Sequence, residues 1–244
     1  MKNIFKYSGI ALIAMMCSCR KEAEQPKVIY DSPAKTEKTP QAKADTTQIE
    51  IADLPIQMEG TNYLIHPVGD LNIYGGNSKA NYESSSAAVT ETSFKVSNYS
   101  ENEITGYLRN LKFQEVGSDS IKALTDKPVL ILTATYLKSI SDKARQQLMV
   151  YSLVDMDTNK DGKLDANDIK SLYMSEISGE KFTKMSADFQ EVIDWNLVES
   201  KNRLYFRAIE DTNKNGEFDK NDVVHYHWID LSVKEWKVSD YNPI

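Results

Sequence analysis

A twelve-residue segment occurs twice in the chain, 54 positions apart and without a gap. DTNKDGKLDAND at 157–168 (loop 1) aligns with DTNKNGEFDKND at 211–222 (loop 2). The register continues on both sides of each segment. A period of this length is typical of repeated supersecondary units, β-propeller blades among them. The chain is therefore expected to contain two repeats, near 133–186 and 187–240.

The residues around both loops have the pattern of β-strands. RLYFRAIE, before loop 2, places Leu204, Phe206 and Ala208 on one face of a strand. VVHYHWIDL, after loop 2, is rich in the β-branched and aromatic residues that favour strands. LYMSEISGEKFTKMS, after loop 1, is predicted to form a hairpin that turns at Ser178 and Gly179. We therefore predict an all-β domain over 51–244, with the loops between strands.

The recurrence of such strands and turns resembles the repeats of TolB-like β-propellers over about residues 108–240. This resemblance implies a small, irregular propeller. Propellers have about four to eight blades, whereas a 54-residue repeat fits into 51–244 fewer than four times. A β-sandwich built from the same hairpins is the alternative, and the sequence leaves both folds open.

Both loops carry oxygen-bearing side chains at the spacing of a calcium-binding loop. Positions 1, 3, 5, 9 and 12 are Asp or Asn in each loop, and position 6 is glycine. Calcium takes roughly 6–8 oxygen ligands, and position 7 of such a loop binds through its backbone carbonyl. Glycine at position 6 permits the sharp turn, because it tolerates positive φ. The spacing therefore predicts calcium as the cofactor of both loops.

The motif resembles the EF-hand loop, and the dockerin-type variant more closely, because Asp stands at position 12. Helices are not expected beside either loop, so the helix pair whose opening makes an EF-hand a switch is missing. We therefore expect structural rather than regulatory sites. The resemblance implies two sets of ligands, with position 7 acting through its carbonyl: Asp157, Asn159, Asp161, Lys163, Asp165 and Asp168 in loop 1, and Asp211, Asn213, Asn215, Glu217, Asp219 and Asp222 in loop 2.

Residues 1–18 have the order of a secretory signal peptide, with two lysines, an apolar run at 10–16 and small residues after it. The apolar run is shorter than the ~20 residues that span a bilayer. AMMCSCRKE resembles the lipobox of bacterial lipoproteins, which implies cleavage before Cys19 and lipidation of its thiol. Cys19 is preferred to Cys17 because the small Ser18 precedes it. The resemblance implies a lipid anchor in the bacterial cell envelope, in the outer membrane, facing the periplasm or the exterior.

Residues 19–50 are rich in Pro, Lys, Thr, Ala and Glu. A segment of this composition cannot bury enough apolar surface to offset the entropy lost on ordering. We therefore predict a disordered tether between the lipid and the domain. The net charge of −7 argues against nucleic acid as a partner, because an acidic surface repels phosphates.

The sequence contains no catalytic signature: neither G-x-S-x-G, nor H-E-x-x-H, nor a phosphate loop is found. His225 and His227 share one face of a predicted strand without a third ligand nearby. Trp195, Trp228 and Trp236 are typical of strands and core, although aromatic residues also form glycan or peptide platforms.

We expect a lipid-anchored envelope protein that serves as a binding or structural module. The alternatives are a glycan-active envelope enzyme braced by calcium and a dockerin-like module that docks onto a partner protein.

Overall fold

The computed structural model describes residues 26–30, 48–72 and 95–244. The predicted signal peptide, Cys19 and most of the predicted tether lie outside these ranges. The described elements are β1 (Gln48–Ala52), β2 (Ile56–Gln57), β3 (Tyr63–Asn72), β4 (Ser97–Ser100), β5 (Glu103–Glu115), β6 (Ile121–Ala123), β7 (Leu130–Tyr136), α1 (Lys138–Ala144), β8 (Leu148–Val154), β9 (Lys170–Glu176), β10 (Thr183–Lys184), β11 (Gln190–Val198), a 3-10 helix (Glu199–Lys201), β12 (Arg203–Glu210), β13 (Val223–Asp230) and β14 (Val238–Asp240).

The strands form two antiparallel sheets, and neither is closed. One sheet has ten described strands. Seven of them follow the path β1-β3-β5-β7-β8-β9-β10, while β2 pairs with β3, and β4 and β6 pair with β5. The other has four strands in the order β11-β12-β13-β14. The prediction of an all-β fold is confirmed. Within the described ranges, no helix is long and apolar enough to cross a membrane.

The two loops occupy equivalent places in the order of strands. Loop 1 joins β8 to β9, and loop 2 joins β12 to β13, so strands flank both loops as predicted. Leu204, Phe206 and Ala208 are buried on one face of β12, in agreement with their alternation in the sequence. The hairpin expected at Ser178 and Gly179 is formed by β9 and β10. Sequence reasoning missed α1, which connects β7 to β8.

Strand β8 is buried on both faces and separates two apolar cores. Met149, Tyr151 and Leu153 pack into a core shared with β3, β5 and β7. Leu148 and Val150, on the other face, pack into a core that includes residues of β11, β12 and β13. Apolar burial is the main favourable contribution to folding, so this second core holds the two sheets together.

The two loops lie at one end of the sheets, since residues 26–30 contact both of them. The turns that follow β9 and β13 lie at the opposite end of those strands. A seven-residue strand such as β8 spans roughly 23 Å. The domain therefore has a loop end and a turn end, separated by the length of a strand.

Candidate metal centres

The backbone turns in the same way in both loops. Position 4 has positive φ, with 58° at Lys160 and 57° at Lys214. Position 6 does as well, with 86° at Gly162 and 85° at Gly216. A left-handed conformation costs a non-glycine residue roughly 1–2 kcal/mol. Other interactions within the loop must therefore hold the two lysines in place.

The carboxylate at position 1 organises the first half of each loop. Asp157 accepts hydrogen bonds from the N–H groups of Asp161 at 3.1 Å and Gly162 at 2.8 Å. Asp211 accepts the corresponding bonds from positions 5 and 6 of loop 2, at 3.2 Å and 2.7 Å. The amide oxygen at position 3 accepts from the N–H of position 5 in both loops, at 3.0 Å and 2.9 Å. The side-chain oxygens of positions 1 and 3 are thus drawn toward the same turn of backbone.

The carboxylate at position 12 connects the two ends of each loop. Asp168 accepts from the N–H of Thr158 at 2.7 Å and from that of Asp165 at 3.0 Å. Asp222 accepts from positions 2 and 9 of loop 2 at 3.1 Å and 2.7 Å. The residue predicted to complete the ligand set therefore also fixes the closed shape of the loop.

The carboxylate of Asp168 lies in an environment that disfavours its charge. Asp168 is 0% exposed. Burial raises the pKa of Asp168 above its ordinary value, and the negative charge of Asp157 raises it further. The N–H donors of Asp165, Asn159 and Thr158 lower the pKa but do not cancel the rise. Within the described part of the chain no cationic side chain pairs with Asp168. A cation held in the loop would supply the missing compensation.

The donor set suits a hard cation such as calcium, because each loop offers five oxygen-bearing side chains and a carbonyl. Across residues 26–30, 48–72 and 95–244, however, no three His, Cys, Asp or Glu side chains are grouped closely enough to hold a metal ion. The predicted ligand sets also contain Asn side chains and backbone carbonyls, which are further oxygen donors. Backbone N–H groups within each loop orient the carboxylates at positions 1 and 12, but among the described residues the structure does not gather three of the predicted carboxylates at one point.

A short N-terminal segment, residues 26–30, lies across both loops. The N–H of Val28 donates to the carbonyl of Gly216 at 3.3 Å, and that of Ile29 donates to the carbonyl of Thr158 at 2.8 Å. Val28 is 2% exposed. The sequence placed these residues in the disordered tether, whereas the structure packs them against the domain. The physical reason is local, because KVIY concentrates β-branched and aromatic side chains within a polar stretch.

The side chains of the N-terminal segment reach loop 2 and the start of β11. The hydroxyl of Tyr30 lies beside the carboxylate of Asp211, and burial together with that negative charge raises the pKa of Tyr30 to about 12. The ring of Tyr30 lies 5.9 Å from that of Phe189. Lys27 forms an ion pair with Glu191 at 3.0 Å. One of the predicted ligands of loop 2 thus lies beside the N-terminal segment. The KVIY run was the signal in the sequence that could have identified this contact.

Asp155, two residues before loop 1, is a further polar centre that sequence reasoning missed. Its carboxylate accepts hydrogen bonds from Ser171 at 2.8 Å, Tyr173 at 2.8 Å and Lys184 at 2.7 Å. Burial opposes the charge of Asp155, but these three donors outweigh it and lower its pKa below the ordinary value. The group ties the start of loop 1 to β9 and β10.

The two histidines of β13 contact different carboxylates. His225 Nε2 lies 2.8 Å from Glu210, and His227 Nδ1 lies 2.7 Å from Asp240. Each imidazole is therefore paired with a different carboxylate.

In the comparisons with known proteins, neither a protein-family model nor a curated protein matches the chain.

Proposed function

We propose that the chain is a lipid-anchored protein of the bacterial cell envelope that binds calcium at loops 1 and 2 and serves there as a binding or structural module. The observation that carries the calcium proposal is the shared hydrogen-bond pattern of the two loops. In both loops, the side-chain oxygens of positions 1, 3 and 12 accept hydrogen bonds from the backbone N–H groups of equivalent positions. Preorganised oxygen donors lower the cost of binding an ion.

The proposed calcium sites are structural. Both loops join antiparallel strands, and α1 adjoins neither of them. No described helix pair is therefore positioned to open when an ion binds. Calcium would fix the links between β8 and β9 and between β12 and β13, and would offset the repulsion among the converging carboxylates.

We further propose that the two loops mark structural repeats. Each loop lies within four consecutive antiparallel strands, β7–β10 and β11–β14. These two units pack against each other through the core that contains Leu148, Val150 and Phe206. Units packed face to face in this way are common to a small, irregular propeller and to a sandwich, so both remain compatible with the proposal.

A dockerin-like docking module is the second candidate, and an exposed apolar group beside loop 2 favours it. Phe189 is 43% exposed and Val223 is 47% exposed. Phe189 directly precedes β11 and Val223 begins β13, so the two residues lie on either side of the end of β12. Apolar groups of this kind can mark a protein contact. An acidic cleft away from both loops would favour the glycan-active enzyme, whereas a cleft of about 530 Å³ at the turn end is lined by three cationic side chains and one carboxylate.

Calorimetric titration of the full chain with calcium tests the proposal directly. We expect two bound ions per chain and a higher melting temperature in millimolar calcium than in chelator. At one hundred times the dissociation constant, binding to the folded state alone contributes ~2.7 kcal/mol. The absence of binding heat, together with identical melting curves in calcium and chelator, would exclude calcium binding at both loops.

A further inference from the structure

A cleft of about 530 Å³ lies at the turn end of the domain, on the far side from the calcium loops. Its walls come from the link between α1 and β8, from the β9–β10 turn and from the β13–β14 turn. The first two belong to the ten-stranded sheet and the third to the four-stranded sheet. Clefts between packed units are common places for ligands to bind.

The cleft is cationic although the protein is acidic. Arg145, Lys181 and Lys234 line it, together with the carboxylate of Glu176. The carboxylates of Glu180 and Glu235 do not line the cleft but lie close enough to act on Lys181. Lys181 pairs with Glu176 at 2.8 Å. The charged groups of Arg145 and Lys234 have no hydrogen-bond or ion-pair partner among the described residues. Two cations are therefore available for an anion, in a chain whose net charge is −7.

Two of these cations stand on backbone that L-residues rarely adopt. Arg145 and Lys181 both have a φ of 56°. A non-glycine residue in this region costs of order 1–3 kcal/mol. Arg145 adopts it at the end of α1 and Lys181 in the turn between β9 and β10. Arg145 directly follows α1, and its N–H caps that helix by donating to the carbonyl of Ser141. The end of the helix thus places Arg145 at the wall of the cleft.

The remaining wall is aromatic and neutral. Trp236 is half-buried, and its Nε1–H is buried with no acceptor among the described residues. Tyr63, Gln146 and Ser178 contribute hydroxyl and amide groups. A sugar ring matches this combination, because it has an apolar face for an aromatic wall and hydroxyl groups for neutral polar side chains.

We propose that this cleft binds a carboxylated saccharide, whose carboxylate pairs with Arg145 and Lys234 and whose ring packs beside Trp236. Guanidinium groups bind carboxylates through paired, charge-assisted hydrogen bonds. Long polyanions such as nucleic acids are disfavoured by the net charge of −7. A short acidic peptide offers carboxylates, but it lacks a hydroxylated ring that could pack beside Trp236 and bond to the neutral polar side chains.

Calorimetric titration of the full chain with trigalacturonate, against its fully methyl-esterified form, tests the proposal, since the two ligands differ only in their free carboxylates. Wild-type protein is expected to bind the acid at least tenfold more tightly than the ester. Arg145→Gln and Lys234→Gln should each weaken binding of the acid about tenfold or more. Lys127→Gln is the matched control, because Lys127 is exposed and does not line the cleft.

Three results would overturn the proposal: no binding of trigalacturonate, equal binding of acid and ester, or tighter binding of a tetraglutamate peptide or of inorganic phosphate. The titration is repeated in chelator and in calcium. The cleft and the loops occupy opposite ends of the strands, so the preference for the acid should persist in both conditions. Failure of the saccharide proposal is therefore distinguishable from failure of the calcium proposal.

Discussion

The backbone carbonyl of Val28 occupies the space where a side chain on Gly216 would begin. A Cβ on Gly216 would overlap that oxygen and lie 2.7 Å from the Cβ of Pro26. A Cβ on Gly162, the equivalent residue of loop 1, would meet no atom of the described residues within 4 Å. The two glycines have nearly the same φ, 85° and 86°. They therefore differ chiefly in the contact with the N-terminal segment, which makes them a matched pair.

Gly216→Ala is expected to destabilise the protein more than Gly162→Ala. Both substitutions place alanine at positive φ, which costs roughly 1–2 kcal/mol. Gly216→Ala also displaces the N-terminal segment, and forcing atoms into a packed site costs typically ~1–3 kcal/mol more. Urea denaturation of both variants measures the difference, and proteolysis near Val28 reports whether the segment has detached. Equal losses of stability would mean that the segment contributes nothing to the fold.

Asp155→Asn is expected to destabilise the protein at neutral pH and to have less effect in acid. The pKa of Asp155 is lower in the folded state than in the unfolded chain. Its contribution to the free energy of unfolding is therefore fully present above the ordinary carboxyl pKa of ~3.9, and it is lost as the pH falls through the lowered pKa. Losing a charge-assisted hydrogen bond costs about 1.5–3 kcal/mol. Denaturation at pH 7 and near pH 3 measures the change.

Asp188→Asn is the control for this pH dependence. Asp188 contacts the same amine, Lys184, at 2.6 Å, but its side chain is 66% exposed. An exposed ion pair contributes about 0–1 kcal/mol. A loss in Asp188→Asn as large as that in Asp155→Asn would contradict the role given to burial and to the Ser171 and Tyr173 hydroxyl groups.

Loop 1 is expected to bind calcium more tightly than loop 2. Loop 1 offers four side-chain carboxylates, whereas loop 2 offers three, because position 5 is the neutral Asn215 and Glu217 would bind through its carbonyl. Affinity in such loops rises with the ligand charge count. The hydroxyl of Tyr30 beside Asp211 adds to this difference, since it would compete with an ion for that carboxylate. Both affinities are expected in the weak range of extracellular modules, about 10⁻⁴–10⁻³ M.

Calorimetric titration of Asp157→Ala and Asp211→Ala separately decides this order. Asp157→Ala should remove the tighter of the two binding events, and Asp211→Ala the weaker. If Asp157→Ala keeps the tighter event, charge count is not what ranks the loops. The strand after loop 2 would then be the next explanation, because VVHYHWIDL can hold its loop more rigidly.

Cys19→Ser is expected to release the protein from the membrane fraction, because the lipid attachment would be lost. Each buried methylene of an acyl chain contributes ~0.8 kcal/mol, so several chains on one cysteine hold firmly. Cys17→Ser is the matched control and should remain in the membrane fraction. Release by Cys17→Ser alone would assign the anchor to the other cysteine, and no effect of either substitution would contradict a lipid anchor.

The amino-acid sequence by itself determined the strands around the loops and the turns within them. The alternation of Leu204, Phe206 and Ala208 sets the buried face of β12, and Gly162 and Gly216 permit the positive φ at position 6. These features depend on neighbours a few positions away in the chain. The twelve-residue spacing likewise fixes which side chains each loop can bring together.

Tertiary structure alone decided which distant segments meet. It placed Val28 against Gly216, Asp155 against Lys184, and Arg145 and Trp236 at the wall of one cleft. Asp155 and Lys184 meet within the ten-stranded sheet, whereas the other two contacts depend on how the two sheets pack around Leu148 and Phe206. Periodicity reports which face of a strand is buried but not which other strand covers it, because apolar burial is non-directional. The N-terminal contact and the cationic cleft are therefore properties of the packed sheets.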